Sequence, residues 1–242
     1  MIEAVWNGFR RIDFLFEGRE AILVFPNKAN ENKNWLLKTE YFDAFPNFEI
    51  EMVKEGWHLA YIKNKTRWCV DEDLDLKKRF VDYLHIEFGL YPKCVPVGMS
   101  CGGLIACKFA AKYPECVSAL YLDAPVMNLL SCPLEVGREE KGRPALEEFI
   151  NATGITVSKL ISYREHPIDK MDLLLKNNIP VIIVYGDSDD IVPYHENGEL
   201  LERYYRENNG DIVAIGKSEC GHHPHGLCDN TPIIEFVKSH CK

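Results

Sequence analysis

The sequence predicts an α/β protein, a mostly parallel twisted sheet with helices on both faces. Three observations carry that expectation. Short β-prone runs alternate with longer stretches of helical spacing, the rhythm of successive βαβ units. The run Ala21–Phe25 is apolar throughout, as a strand covered on both faces would be. The run Lys93–Val97 passes through Gly98-Met99-Ser100-Cys101-Gly102 straight into the helix-like stretch Leu104–Lys112, so a strand turns sharply into a helix there.

Taken in order, Arg10–Phe16 alternates enough to read as a strand, and Glu17-Gly18 is a hairpin turn into Ala21–Phe25, which Pro26 stops. A polar segment, Asn27–Asn34, follows. Phe42–Lys54 reads as mixed loop and helix, and Trp57–Ile62 as another strand. Asp71–Phe88 places Leu74, Phe80, Val81, Leu84 and Phe88 at helical spacing, with Gly89 as its C-cap. After the sharp turn, Val117–Leu122 is the next strand. The rhythm then breaks over 124–178, where Pro125, Pro133, Gly137, Gly142, Pro144, Gly154 and Pro167 punctuate short helical pieces such as Ala145–Ala152 and Val157–Tyr163. That stretch is expected to be a cap-like insertion over the carboxyl edge of the sheet, where ligands of parallel sheets bind. Strand Ile179–Tyr185, helix Pro193–Asn208, strand Asp211–Ile215 and helix Pro232–His240 complete the chain, read as one domain over 1–242.

A charged fraction of 27% and a hydrophobic fraction of 46% are those of an ordinary globular protein with material for a core. A net charge of −9 argues against a nucleic-acid partner, which calls for a basic face. Met1–Gly18 holds no signal-peptide core, since Asn7, Arg10, Arg11, Asp13 and Glu17 interrupt it, and no run is long and apolar enough for a membrane span. The nine cysteines are odd in number and scattered, so reduced thiols in a cytoplasmic protein are expected rather than a disulfide framework.

Chemistry gathers at three places. A serine needs a base to take its proton and a third group to orient that base. Ser100 is the candidate nucleophile; Cys101 beside it is expected to point away and to lend its backbone N–H to an oxyanion hole. The turn Gly186–Pro193 offers Asp187, Asp189 and Asp190, and the loop Cys220-Gly221-His222-His223-Pro224-His225 offers three imidazoles. Ser, then Asp, then His is the chain order of the α/β-hydrolase triad and not that of the chymotrypsin or subtilisin types. The hydrolase acid turn G-x-x-D-x-x-V-P selects Asp189, and the position directly after Gly221 selects His222 as base. His223 is the alternative base, His225 a pocket donor or loop-ordering residue, and Asp123 an alternative acid expected to line the pocket or hold its turn. The second oxyanion N–H is expected from the loop after Ala21–Phe25, at Asn27 or Lys28. Trp35, Lys38 and Glu40 could contact substrate or anchor their loop. A rival reading joins Cys220, His222, His223, His225 and Cys228 as a zinc site, since the residue types suit that metal; adjacent ligands in a Pro-containing loop count against it.

Across nearly its whole length the sequence resembles the α/β-hydrolase superfamily. Within it, Asn34–Phe42, Gly56–Tyr61, Asp123-Ala124-Pro125-Val126 and Gly221-His222-His223-Pro224-His225-Gly226-Leu227 resemble small bacterial prolyl-oligopeptidase/esterase-like hydrolases. The resemblance implies the hydrolase sheet with a cap and the triad Ser100–Asp189–His222; the His-Gly pair usual after the oxyanion strand is absent. The expected activity is cleavage of a small-molecule carboxylic ester, short acyl or carbohydrate-linked, with no metal or organic cofactor. A peptidase or amidase with the same triad is the alternative, and a non-catalytic binding protein of the same fold the third.

Overall fold

The computed structural model describes residues 1–136 and 144–241; Gly137 and Gly142 of the insertion lie outside the described residues. The strands are β1 (Ile2–Trp6), β2 (Phe9–Phe16), β3 (Arg19–Val24), β4 (Trp35–Lys38), β5 (His58–Ile62), β6 (Val95–Met99), β7 (Leu120–Asp123), β8 (Val181–Gly186) and β9 (Ile212–Lys217). They form one sheet in the order β1-β2-β3-β5-β4-β6-β7-β8-β9. β1, β2 and β3 run antiparallel, β3 is antiparallel to β5, and every pair from β5 to β9 is parallel. No helix of the described residues is long and apolar enough to cross a membrane, and all nine cysteines are free thiols.

The apolar runs make sense as strands covered twice. In β8, Val181 and Ile183 join the core on one face while Ile182 and Val184 join the core on the other, the period of two that a pleated strand imposes. The first face carries α2 (Asp71–Phe88), α3 (Cys101–Lys112), α6 (Met171–Lys176) and α7 (Gly198–Glu207), whose Leu74, Leu104, Leu174 and Leu201 are fully buried. The second carries α1 (Asn47–Lys54) and α8 (Thr231–Ser239) through Phe48, Met52, Ile233 and Val237. Two further short helices, α4 (Pro144–Thr153) and α5 (Val157–Ser162), belong to the insertion between β7 and β8.

Two strands were not foreseen. β1 pairs with β2 through Asn7-Gly8, whose φ values of 49° and 86° are those of a type I′ hairpin turn. β4 is only four residues long and follows a polar segment, but all four residues are buried and it inserts between β5 and β6. Its presence changes which loop adjoins the Ser100 strand. β3 is antiparallel to β5, with Val24 opposite Leu59 near the start of β5, so the loop holding Asn27 and Lys28 lies at the amino edge of the parallel strands. Ser100 lies at the opposite, carboxyl edge. The stretch adjoining it there is the one after β4, beginning at Thr39.

At the amino edge His58 is 5% exposed, edge-on to the Phe25 ring. Burial, then the nearby Lys33 ammonium, push its imidazole down from the ordinary 6.5 to about 4, outweighing the pull of the Asn34 backbone carbonyl. A histidine held neutral in the fold and free to protonate when unfolded stabilises the fold above pH 6.5 and loses that contribution as pH falls toward 4. Stability should therefore drop by up to about 3 kcal/mol more in the wild type than in His58→Gln between pH 7 and pH 4, read from urea unfolding at each pH.

Candidate active site

Ser100 stands alone between β6 and α3 with φ 53° and ψ −120°, a backbone conformation that costs a non-glycine residue about 1–3 kcal/mol. The neighbours hold it there. Its N–H donates to Asp123 O at 2.9 Å, and its carbonyl accepts from Gly103 N at 2.9 Å and Val126 N at 3.0 Å. Strand and helix approach so closely that a Cβ on Gly98 would lie 2.6 Å from Gly102 O and 2.7 Å from Gly103 Cα, so only glycine fits.

The histidine loop starts after β9, three strands from Ser100, and crosses the sheet edge to reach it. Over β8 it passes where a Cβ on Gly186 would meet Cys220 O at 2.2 Å, and Ser188 N–H donates to Cys220 O at 3.0 Å. Over β7 it is pinned by the buried Asp123 carboxylate, which accepts from His225 Nδ1 at 2.7 Å, Gly226 N–H at 2.6 Å and the Tyr121 hydroxyl at 3.1 Å. The loop ends with His222 Nε2 at 3.1 Å from Ser100 Oγ and His222 Nδ1 at 2.7 Å from Asp189 Oδ2. Asp189 Oδ1 accepts from the N–H groups of Ile191 and Val192, each at 2.9 Å. Burial alone would raise the Asp189 carboxyl, but the bond from His222 and those backbone N–H groups together hold it below the usual carboxylate range. An ionised Asp189 fixes the His222 proton on Nδ1 and leaves Nε2 to accept from the serine. The chain thus holds a hydroxyl, a base and an orienting carboxylate in line.

No protein-family model matches the sequence, and no curated protein matches it. Solved structures do. An acylaminoacyl peptidase from Pyrococcus horikoshii superposes with TM-score 0.73 at 12% identity, over 96% of this chain and 42% of its own. TT1662 from Thermus thermophilus gives 0.67 at 15%, over 96% and 97%. MPT51 (FbpC1) from Mycobacterium tuberculosis gives 0.65 at 17%, over 92% and 94%. The chain has the α/β-hydrolase fold. It spans 42% of the Pyrococcus peptidase, and at these identities the likeness is one of fold.

In this α/β-hydrolase fold the Ser100 cavity lies at the carboxyl edge of the parallel strands, lined by the end of β6 and by the segments that follow β4 to β9. The cavity measures about 440 Å³ and includes Ser100, Cys101, His222, His223 and His225. Cys101 is the first residue of α3, so its N–H has no acceptor within the helix, and burial pushes its thiol up to about 11. Asn27 and Lys28 lie at the far edge of the sheet. At the Ser100 edge the residue in the corresponding place is Tyr41, with φ 54°, in the loop after β4, its N–H donating to Glu40 Oε1 at 3.3 Å; Thr39 Oγ1 ties this loop to the elbow, 2.7 Å from Gly102 O.

Trp35, Lys38 and Glu40 do not line this cavity. Trp35 starts β4 at the amino edge, its ring N–H donating to Tyr91 O at 2.8 Å. Lys38 is wholly buried against Glu49, with Met99 Sδ at 3.2 Å, an ion pair that ties β4 to α1 beneath the elbow. Glu40 accepts from Asn64 Nδ2 at 2.5 Å and faces a neighbouring hollow. Asp187 is exposed beside Ser188 Oγ, and Asp123 is occupied by His225 and Gly226 rather than by His222.

Sequence reasoning passed over Phe45 and Arg67. Phe45 stacks on His223 at 5.4 Å between centroids and meets His225 edge-on at 5.3 Å. Arg67 lies over Trp68, donates to Glu148 of α4 through two nitrogens, and has its Nη1 3.5 Å from the Tyr41 hydroxyl. Their signal was positional, since both follow carboxyl ends of parallel strands. A larger cavity, about 680 Å³, sits against the hairpins at Ile2, Phe14, Leu15 and Tyr83, and contains no serine, cysteine or histidine. Ser100 and His222 line the smaller one.

Asp123→Ala leaves His225 Nδ1–H and Gly226 N–H without their acceptor, so the fold should lose about 2–4 kcal/mol. Asp123→Asn, which keeps one acceptor oxygen, should lose less. Urea midpoints of the two variants against wild type check the order.

Proposed function

We propose that this chain is a serine hydrolase that cleaves a carboxylic ester through an acyl-enzyme intermediate. The observation that carries the reading is the line Ser100–His222–Asp189, 3.1 Å and 2.7 Å, on an elbow whose strain is maintained by its neighbours. His222 takes the Ser100 proton as Oγ attacks the acyl carbon, and Asp189 stabilises the imidazolium that forms. The Cys101 N–H receives the oxyanion, and the Tyr41 N–H is the second donor once it leaves the Glu40 carboxylate, to which it donates at 3.3 Å. His222 returns the proton to the leaving alkoxide, then activates the water that releases the acid. No metal or organic cofactor takes part in these steps.

The substrate is a small ester with a short acyl group or a carbohydrate leaving group. A cavity of about 440 Å³ walled by Phe45, Trp68, Ile191 and Val192 suits a short acyl chain better than a long lipid. Neither nucleic acid nor a membrane enters the reading, and a cytoplasmic enzyme is its simplest setting. The fold shared with an acylaminoacyl peptidase favours one second reading, hydrolysis of an amide at the same serine.

Matched 4-nitrophenyl esters and 4-nitroanilides of acetate and butyrate separate the two. Wild type should turn over the esters with a much higher kcat/KM than the anilides. Ser100→Ala should lose about four orders of magnitude or more in kcat while unfolding at no lower urea. Equal ester turnover in Ser100→Ala would overturn the mechanism, and anilides turned over as fast as esters would favour the amidase.

A further inference from the structure

The proposed reaction uses one carboxylate–histidine pair, yet the loop contains two. His225 Nδ1 is held by Asp123 as closely as His222 Nδ1 is held by Asp189, 2.7 Å in each case, with all four groups buried. In ester hydrolysis the second pair serves only to anchor the loop, and His225 Nε2 has no part in the reaction. Each pair does the same thing to its ring: it fixes the proton on Nδ1 and leaves the Nε2 lone pair available. Carboxylates that bond the far nitrogen of an imidazole in this way orient metal-ligating histidines and raise their basicity.

The third histidine completes a set. His222, His223 and His225 have ring centroids 4.8, 5.1 and 4.9 Å apart, and each can offer one ring nitrogen such that all three lie within 4.8 Å of one another. Three nitrogens on a tetrahedral zinc ion are about 3.3 Å apart, so the rings would close by at most about 1.5 Å. His223 is exposed, which gives a metal a way in; its ring stacks on Phe45 and would shift along that face to close on the ion. The set contains no thiolate or carboxylate. Three neutral imidazoles suit zinc, copper or nickel and not magnesium or calcium, which take oxygen ligands. The earlier grouping with Cys220 and Cys228 does not form: Cys220 Sγ turns to His223 O at 3.7 Å, and Cys228 is exposed outside the cluster.

We propose that His222, His223 and His225 form a binding site for a divalent transition ion of the zinc class, and that its occupation takes His222 Nε2 away from Ser100. Metal-bound and hydrolytic forms then exclude one another, because the same lone pair cannot accept from the serine and coordinate the ion. The site itself stands on the histidine geometry; the inhibition rests on the serine-hydrolase reading.

The full chain, stripped of metal, is titrated with zinc chloride against a chromogenic chelator, and the same samples are exposed to a fluorophosphonate. The expected result is one zinc per chain, weakened at least tenfold in His223→Gln and in His225→Gln and unchanged in Cys220→Ser and Cys228→Ser. Fluorophosphonate labelling of wild type should fall in step with zinc occupancy and return on adding EDTA. No stoichiometric binding, or binding that survives both histidine variants, overturns the site. Zinc bound at the histidines without slower labelling overturns the inhibition. A metal-free chain that takes no fluorophosphonate defeats the hydrolase reading alone, since the chelator titration still decides whether the metal binds.

Discussion

A single strained residue sets the geometry of this molecule. Ser100 keeps its unfavourable backbone only because both of its peptide groups are bonded, the N–H to the end of β7 and the carbonyl to α3 and the start of the insertion. Those bonds require β6 and β7 to be neighbours in register, which their pairing from Val97–Tyr121 to Met99–Asp123 supplies. They also require α3 to start at once, which the glycine at 98 allows by letting helix backbone touch strand backbone. The sheet and its helices thus hold one hydroxyl at the carboxyl edge beside the unpaired N–H groups of a helix start, where negative charge is favoured.

The second requirement is to bring a base from three strands away. The histidine loop is attached at each strand it crosses: at Gly186 by close packing, at Asp123 by the hydrogen bond from His225, and at Asp189 by that from His222. Each carboxylate there is buried and bonded on both oxygens, and at Asp189 those bonds hold the carboxyl below its usual range in spite of burial. Beneath the elbow the buried Lys38–Glu49 pair serves the same end for β4. A buried pair of this kind adds little net stability, but losing one partner strands the other charge.

Much of this was legible in the sequence. Helix Asp71–Phe88 was delimited at both ends because its apolar spacing and Gly89 agree, and Gly89 takes the left-handed conformation at φ 66° that a helix end calls for. The chain order Ser, Asp, His and the hydrolase-like motifs around Ser100, Asp189 and His222 picked out three side chains that the fold brings into contact. What was not legible depended on strand order. A four-residue strand after a polar segment has too little length to declare itself, so β4 was missed and Asn27 and Lys28 were assigned to the edge that Tyr41 borders. Lys38 and Trp35 look like pocket residues in sequence because Lys and Trp so often bind ligands; only the fold shows each turned into the core. The Asp123–His225 pair, between residues 102 apart, has no local pattern at all.

The measurement that bears most directly on this account is fluorophosphonate labelling of the metal-free chain, followed by intact mass and peptide mapping. The account predicts a single adduct on Ser100, lost in His222→Ala and strongly slowed in Asp189→Asn. A folded wild-type chain that takes no adduct, or takes it at another residue, would contradict it.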